Sequence, residues 1–171
     1  MHKACVLDVE TTSLEPWSGR LVCIGIRGVM DSDRTKVFFC EDEREMLERF
    51  LAFFRNSGFA EIIGYNLNFD IRFIFGRCLV YEIPAPFLFG CTFTDIMDNV
   101  RAVRRVYSYN KPGRLDDWCQ CIFGIGKLEK GDAVKEMFER RDFTRIIQYN
   151  RQDVEMTYKL WKRIGFVLCG K

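Results

Sequence analysis

The chain begins with a short apolar run that ends in two closely spaced acids, and this feature restricts its possible folds more than any other. Ala4–Leu7 has the composition of a buried strand, and Asp8 and Glu10 follow it. Side chains two residues apart in a strand share a face, so the two carboxylates should project together while Val9 returns to the core. A divalent metal ion is the commonest reason for such a pair of repelling charges. The alternative is the polar end of an edge strand that leads into a turn.

Length and composition predict a single domain that covers residues 1–171. Hydrophobic residues make up 48% of the chain, and no linker or internal repeat interrupts it. We expect a cytoplasmic protein without membrane association, because no apolar run approaches the roughly 20 residues that cross a bilayer and the first residues lack a signal-peptide pattern. The net charge of +2 means that an anionic partner would be attracted by local patches.

The cysteine and histidine content excludes several kinds of site. Eight cysteines are present without a C-x-x-C pair, and most lie in apolar runs, so we expect small core residues rather than a zinc site. The sequence leaves open whether any of them form disulfides. His2 is the only histidine, which removes Ser-His-Asp and Cys-His nucleophilic schemes and histidine-rich zinc sites.

The order of the predicted elements indicates an α/β protein. Strand-like segments follow one another as a three-stranded antiparallel meander and then alternate with helices. After the opening strand, the predicted strands are residues 20–29, 36–40, 61–65 and 88–94. The predicted helices are residues 41–56, a segment near Asp70, a segment that begins at Asp95, and residues 115–123 and 143–167.

Further polar residues lie at helix starts and on the last helix. Asp70 lies where the strand at 61–65 gives way to a helix, and an ordinary N-cap is its alternative interpretation. Asp95 is interpreted as a helix cap rather than a ligand. Tyr149 and Asp153 are four residues apart on the last helix, so both stand on one helix face.

Taken together, Asp8-x-Glu10, Asp70 and Tyr149-x-x-x-Asp153 resemble the motifs of the DEDDy branch of the DnaQ-like 3′-5′ exonucleases. This superfamily includes the proofreading domain of family B DNA polymerases, and the resemblance extends to about Trp161. It implies an RNase H-like α/β fold: a five-stranded mixed sheet of order 3-2-1-4-5, with strand 2 antiparallel and helices on both faces.

The resemblance also implies a two-metal-ion mechanism that uses Mg²⁺ or Mn²⁺, which prefer oxygen ligands. Asp8 would bridge both ions. Glu10 and Asp153 would complete the site of the ion that binds the nucleophile, and Asp70 would hold the second ion, partly through water. Tyr149 would orient the attacking water, because a phenol with a pKa near 10 is a poor base.

Several residues are expected to contact substrate, each with a structural alternative. By resemblance, Thr11, Thr12 and Leu14 would grip the terminal nucleotide, and the alternative is a plain turn. Asn66 would lie near the substrate strand or serve only as a junction residue. Lys127 and the loop Tyr107–Arg114 would contact phosphates and bases, with solvated charge as the alternative.

The expected function is therefore 3′-5′ exonuclease activity on single-stranded or frayed 3′ ends of DNA, in repair or proofreading, with release of nucleoside 5′-monophosphates. A polymerase or repair protein is the further partner to consider, and the oligomeric state stays open. The first alternative is an exoribonuclease of the same superfamily acting on RNA. The second is a catalytically silent RNase H-like binding module, although such a module has no need of the five-residue set.

Overall fold

Five strands form a mixed sheet in the part of the chain that the computed structural model describes, residues 3–30, 32–102, 113–126 and 133–170. The order is β3-β2-β1-β4-β5. β2 is antiparallel to both of its neighbours, whereas β4 runs parallel to β1 and β5 runs parallel to β4. The predicted fold, sheet order and strand-2 direction are confirmed. The strands are β1 (Ala4–Thr11), β2 (Leu21–Gly28), β3 (Lys36–Phe39), β4 (Glu61–Gly64) and β5 (Thr92–Asp95).

Helices cover both faces of this sheet. One face carries the first three helices, and the other carries the last four. In the described residues the helices are α1 (Glu43–Ser57), α2 (Leu67–Tyr81), α3 (Pro86–Phe89), α4 (Ile96–Ala102), α5 (Leu115–Phe123), α6 (Ala133–Glu139) and α7 (Phe143–Cys169). None of them combines the length and the apolar character that a bilayer crossing requires.

The alternation of side chains along β1 divides the core between the two faces. Leu7 and Val9 lie on the face covered by α1 and α2, where Phe50 and Phe73 are among the fully buried residues. The aromatic stripe predicted for the first helix is therefore part of the core. Val6 points to the other face, against α5 and α7.

The face under α7 holds two apolar clusters rather than one. The first includes Ala4 and Val6 of β1, and the second includes Cys23 of β2 together with residues of α6 and α7. The alternation of β1 places Asp8 and Glu10 on this same face, after Val6. The two acids therefore sit under the long helix, beside apolar packing.

The structure departs from the sequence-based expectation most clearly at three places. The last strand begins at Thr92 rather than at residue 88, because Pro86 starts a short helix there and the buried Leu88 belongs to that helix. The helix α6 lies in a charged stretch for which none was predicted. The final helix extends two residues beyond 167 and reaches Cys169.

The cysteines are all free thiols, and their burial only partly matches the prediction of core residues. Cys5, Cys23, Cys78 and Cys119 are buried, which confirms it for these four. Cys121 and Cys169 are exposed, so for them it is wrong. Cys121 lies on the outer side of α5, and Cys169 lies at the exposed end of α7, beyond Leu160, the last buried residue of that helix.

Candidate metal centre

Three carboxylates meet where β1 passes under α7. Asp8, Glu10 and Asp153 each offer one oxygen atom, and these three atoms lie within 4.8 Å of one another. Glu10 and Asp153 are buried, and Asp8 is half-buried. The strand alternation brings the first two together, as expected, and the crossing of α7 over the sheet supplies the third.

The chemistry of this group fits a divalent cation. Carboxylates at such short range repel one another, and their burial strengthens the repulsion by removing solvent screening. Carboxylate oxygens are also the donors that hard cations such as Mg²⁺ and Mn²⁺ prefer. The geometry therefore provides a site at which positive charge would stabilise the fold.

Asp70 lies beside this group rather than in it. It is the fourth residue of α2 and is buried, and its Oδ1 accepts a hydrogen bond from the backbone N–H of Val9, 2.9 Å away. Its interpretation as an N-cap is wrong, because α2 begins earlier and Asn66 occupies the cap position. Burial and the nearby Asp8 carboxylate raise the pKa of Asp70 well above its ordinary value, and the Val9 hydrogen bond opposes that shift.

Asn66 and Asp95 form a linked pair at the same edge of the sheet, where β4 and β5 end. The Asn66 backbone N–H donates to Asp95 Oδ1 at 2.9 Å, and the Met97 N–H donates to the same oxygen at 3.0 Å. Asp95 thus caps α4, as predicted. Asn66 is exposed and adopts the left-handed conformation with φ of 63°. Its position allows both the junction role and a substrate contact.

Tyr149 is almost completely buried. Its exposed fraction is 2%, and it packs in the second apolar cluster with Val22, Met137 and Ile146. Asp153 follows one turn later and is also buried, so this stretch of α7 faces the sheet. The packed ring therefore anchors the helix beside the acids. Only the hydroxyl group of Tyr149 could serve the predicted orientation of water.

Two threonine hydroxyl groups form hydrogen bonds with backbone groups of the turn that follows β1. Thr11 Oγ1 donates to the carbonyl of Ser13 at 2.6 Å, and Thr12 Oγ1 accepts from the N–H of Arg20 at 3.0 Å. Leu14 is 73% exposed and is available for a contact from outside. Lys127, like residues 107–112 of the predicted substrate loop, lies outside the described residues.

The sequence-based interpretation missed two residues that contact the site. Asn150 is fully buried on α7, and its Nδ2 donates to Asp8 Oδ2 at 2.8 Å. Gly25 lies opposite Asp8 on β2, and a Cβ atom there would come within 2.2 Å of Asn150 Oδ1. The position of an asparagine directly after Tyr149 is the one signal in the sequence that points to Asn150, and nothing local marks the glycine.

A mixed five-stranded sheet with an acidic group on its first strand and last helix defines the exonuclease-type α/β domains. Comparison of the sequence with protein families is consistent with this class, since residues 25–110 match the model of the exonuclease domain of DNA polymerase family B. The chain belongs to this family.

Three known proteins are similar to this chain over all or part of its length. The chain is 28% identical to an uncharacterized protein of Methanocaldococcus jannaschii, over 99% of this chain and 98% of that protein. A stretch of 48 residues, 28% of this chain, is 46% identical to the DNA polymerase catalytic subunit of Elephantid herpesvirus 1 and covers 5% of it. The fold matches the family B DNA polymerase of Pyrobaculum calidifontis with a TM-score of 0.79 at 18% identity, over 96% of this chain. The chain spans about a quarter of that polymerase, 24%.

Proposed function

We propose that this protein is a metal-dependent 3′-5′ exonuclease that removes nucleoside 5′-monophosphates from single-stranded or frayed 3′ ends of DNA. The observation that carries the proposal is the convergence of Asp8, Glu10 and Asp153, with oxygen atoms within 4.8 Å of one another. Membership of a polymerase exonuclease family supports it. A role in repair or proofreading is part of this proposal, and a polymerase or another repair protein is the partner to consider for presenting the DNA.

The acids would act by holding two divalent cations, Mg²⁺ or Mn²⁺. When bound, such ions lower the pKa of water and neutralise charge on the leaving oxygen. Asp8 would contribute to both positions because it belongs to the group with Glu10 and Asp153 and its charge also acts on Asp70. Glu10 and Asp153 would hold one position, and Asp70 would support the other. The Val9 N–H bond at 2.9 Å fixes one Asp70 oxygen and so orients its carboxylate.

The remaining residues would align the nucleophile and the DNA end. The Tyr149 hydroxyl would donate a hydrogen bond that orients the attacking water, while the packed ring keeps the group in place. Leu14, which is exposed in the turn after β1, would press against the terminal base. Thr11 and Thr12 would grip the last nucleotide through backbone amides and a hydroxyl, Asn66 would lie near the substrate strand, and Lys127 would contact a phosphate.

Timed digestion of 5′-labelled substrates tests this proposal. Single-stranded DNA, a duplex with a mismatched 3′ end, a fully paired duplex and RNA are each incubated with Mg²⁺, with Mn²⁺ and with excess chelator. We expect a ladder of shortening products that chelation abolishes, formed fastest on the single strand and the mismatched end. The Asp8→Asn protein, purified in parallel, controls for contaminating nucleases.

The other outcomes separate the alternatives. Faster digestion of RNA than of DNA would identify an exoribonuclease. Binding of single-stranded DNA without any cleavage in either metal would identify a silent module. Mononucleotide released from the 5′ end, or full activity in excess chelator, would contradict the proposal.

A further inference from the structure

The side-chain amide of Asn150 donates two hydrogen bonds, and both go to the same residue of the acidic group. Its Nδ2 donates to Asp8 Oδ2 at 2.8 Å and to the Asp8 backbone carbonyl at 3.2 Å. An asparagine amide nitrogen has two hydrogens, so this contact uses the whole donor capacity of the group. The carboxylate of Asp8 is thereby tied to a point that is fixed relative to its own backbone.

The orientation of this amide is determined by its surroundings. Rotating it by half a turn would place Oδ1 of Asn150 against a carbonyl oxygen and a carboxylate oxygen, and three acceptors would then repel one another. In the observed orientation, Oδ1 lies over Gly25 instead, and no donor from residues 3–30, 32–102, 113–126 or 133–170 bonds it. The protein contacts of the amide therefore serve Asp8.

The strand opposite Asp8 leaves space for this arrangement. Gly25 pairs with Asp8 across β1 and β2, and a Cβ atom on it would lie 2.2 Å from Asn150 Oδ1 and 2.7 Å from Val154 Cγ2. Any other residue at position 25 would push the amide away from the carboxylate. The glycine thus permits the close approach of α7 on which the Asn150 contact depends.

Asn150 is fully buried, so it has no access to a DNA strand. It lies three residues before Asp153 on the same helix face, which couples the positions of the β1 and α7 acids. A neutral donor is suited to this place because an acid would add another negative charge to the group and an apolar side chain would leave the Asp8 oxygens without this hydrogen bond.

We propose that Asn150 is a positioning residue that holds the Asp8 carboxylate in the orientation that binds the metal ions. This inference rests on the proposed function, because it assigns Asp8 to the metal site. It assigns Asn150 to catalysis only through Asp8. Outer contacts of this kind typically change metal affinity or activity by about 10- to 100-fold when they are removed.

The test compares Asn150→Ala with Thr157→Val and the wild type. Thr157 is a matched control because it is 1% exposed and lies on the same helix, and its Oγ1 has no hydrogen-bond partner among the described residues. Mn²⁺ affinity is measured by titration calorimetry in the absence of DNA, and kcat and KM are measured on single-stranded DNA. For Asn150→Ala we expect Mn²⁺ affinity or kcat to fall by about 10- to 100-fold, with KM for DNA unchanged. Thr157→Val should behave as the wild type does.

The outcomes distinguish this inference from the proposed function. Equal Mn²⁺ affinity and equal kcat for Asn150→Ala and Thr157→Val would overturn the positioning role alone. A wild type that binds Mn²⁺ but cleaves no nucleic acid would overturn the exonuclease proposal, and the calorimetry would still decide the role of Asn150. A wild type that binds no Mn²⁺ would overturn both. If Asn150→Ala yields no folded protein, Asn150→Ser is too short to reach Asp8, and the same criteria apply to it.

Discussion

Two groups of charged side chains lie on opposite faces of the sheet, largely shielded from solvent. One contains only negative charges, and the other pairs a negative with a positive charge. Under α7, Asp8, Glu10 and Asp153 bring like charges together. On the other face, Glu43 of α1 and Arg77 of α2 form an ion pair with a closest N–O distance of 2.7 Å. The first group brings charges of one sign together, whereas the second pairs a negative with a positive side chain.

Glu43 and Arg77 also form hydrogen bonds with nearby backbone groups and with the hydroxyl group of Tyr81. Glu43 Oε1 accepts the backbone N–H of Leu21 at 2.6 Å, and its Oε2 accepts the Tyr81 hydroxyl at 2.9 Å. Arg77 donates through Nη1 to the carbonyl of Pro16 at 2.8 Å. The pair therefore holds both the turn after β1 and the start of β2 against the helices. Buried charge that is matched within the chain serves the fold, and buried charge of one sign points to a ligand.

The largest expected effect in the acidic group is that of Asp8→Asn on cleavage. We expect activity to fall by on the order of 10³-fold or more, because a contact to charge that develops in the transition state contributes about 10²- to 10³-fold by itself. Mg²⁺ or Mn²⁺ should raise the melting temperature of the wild type by mass action, and Asp8→Asn should shrink that rise. A thermal-shift titration measures it.

The melting temperature of the Asp8→Asn protein without metal is the control for correct folding. It should equal or exceed that of the metal-free wild type, because one repelling charge has been removed. A metal-induced rise equal to that of the wild type would show that Asp8 does not bind the ions. It would also remove the distinction between the two charged groups.

In the Glu43–Arg77 pair, Arg77→Met should mainly affect stability. Removing one partner of a buried ion pair typically costs about 3–5 kcal/mol of unfolding free energy, because it leaves an uncompensated charge. Urea denaturation measures the loss, and the metal-induced rise in melting temperature should remain. Glu48→Gln is the control, since its pair with Arg44 is about half exposed and should contribute about 1 kcal/mol or less. A loss for Arg77→Met as small as that of the control would contradict the structural role.

Tyr149→Phe separates orientation of the nucleophile from metal binding. The change keeps the packed ring and removes the hydroxyl, so kcat should fall by about 10²-fold with residual activity, at the lower end of proton-transfer and orientation effects. The metal-induced thermal shift should be unchanged. Tyr158→Phe, a buried tyrosine on the same helix, should retain full activity. Loss of the metal-induced shift in Tyr149→Phe would assign the hydroxyl to the metal site instead.

The smallest expected effect is the pH dependence that Asp70 gives to the metal-free protein. Burial and Asp8 raise the folded-state pKa of Asp70 well above the unfolded value. The folded state therefore binds the proton more tightly, so the contribution to stability is complete below the unfolded pKa and is lost as the pH rises through the folded one. Unfolding free energies in chelator should fall with rising pH less steeply for Asp70→Asn. Equal slopes for the two proteins would contradict this linkage.

The sequence by itself determined the sheet and most of the acids' places in it. The apolar run before Asp8 and the i, i+2 spacing to Glu10 depend only on local strand geometry, and the stripe in α1 depends only on helical periodicity. Both were therefore readable in advance. The residues 86–89 were not, because a short apolar segment fits a strand or a helix equally and the packing of Leu88 decides between them.

Only the tertiary structure decided which distant residues share a buried environment. Asn150 and Asp8 are 142 positions apart, and Glu43 and Arg77 are 34 apart, so no local pattern connects either pair. The steric requirement for glycine at position 25 exists only because α7 packs against β2 there. Side-chain pairing across elements depends on the crossing of a helix over a sheet. The packing of the whole core determines that crossing, because no single segment can bury its apolar face alone.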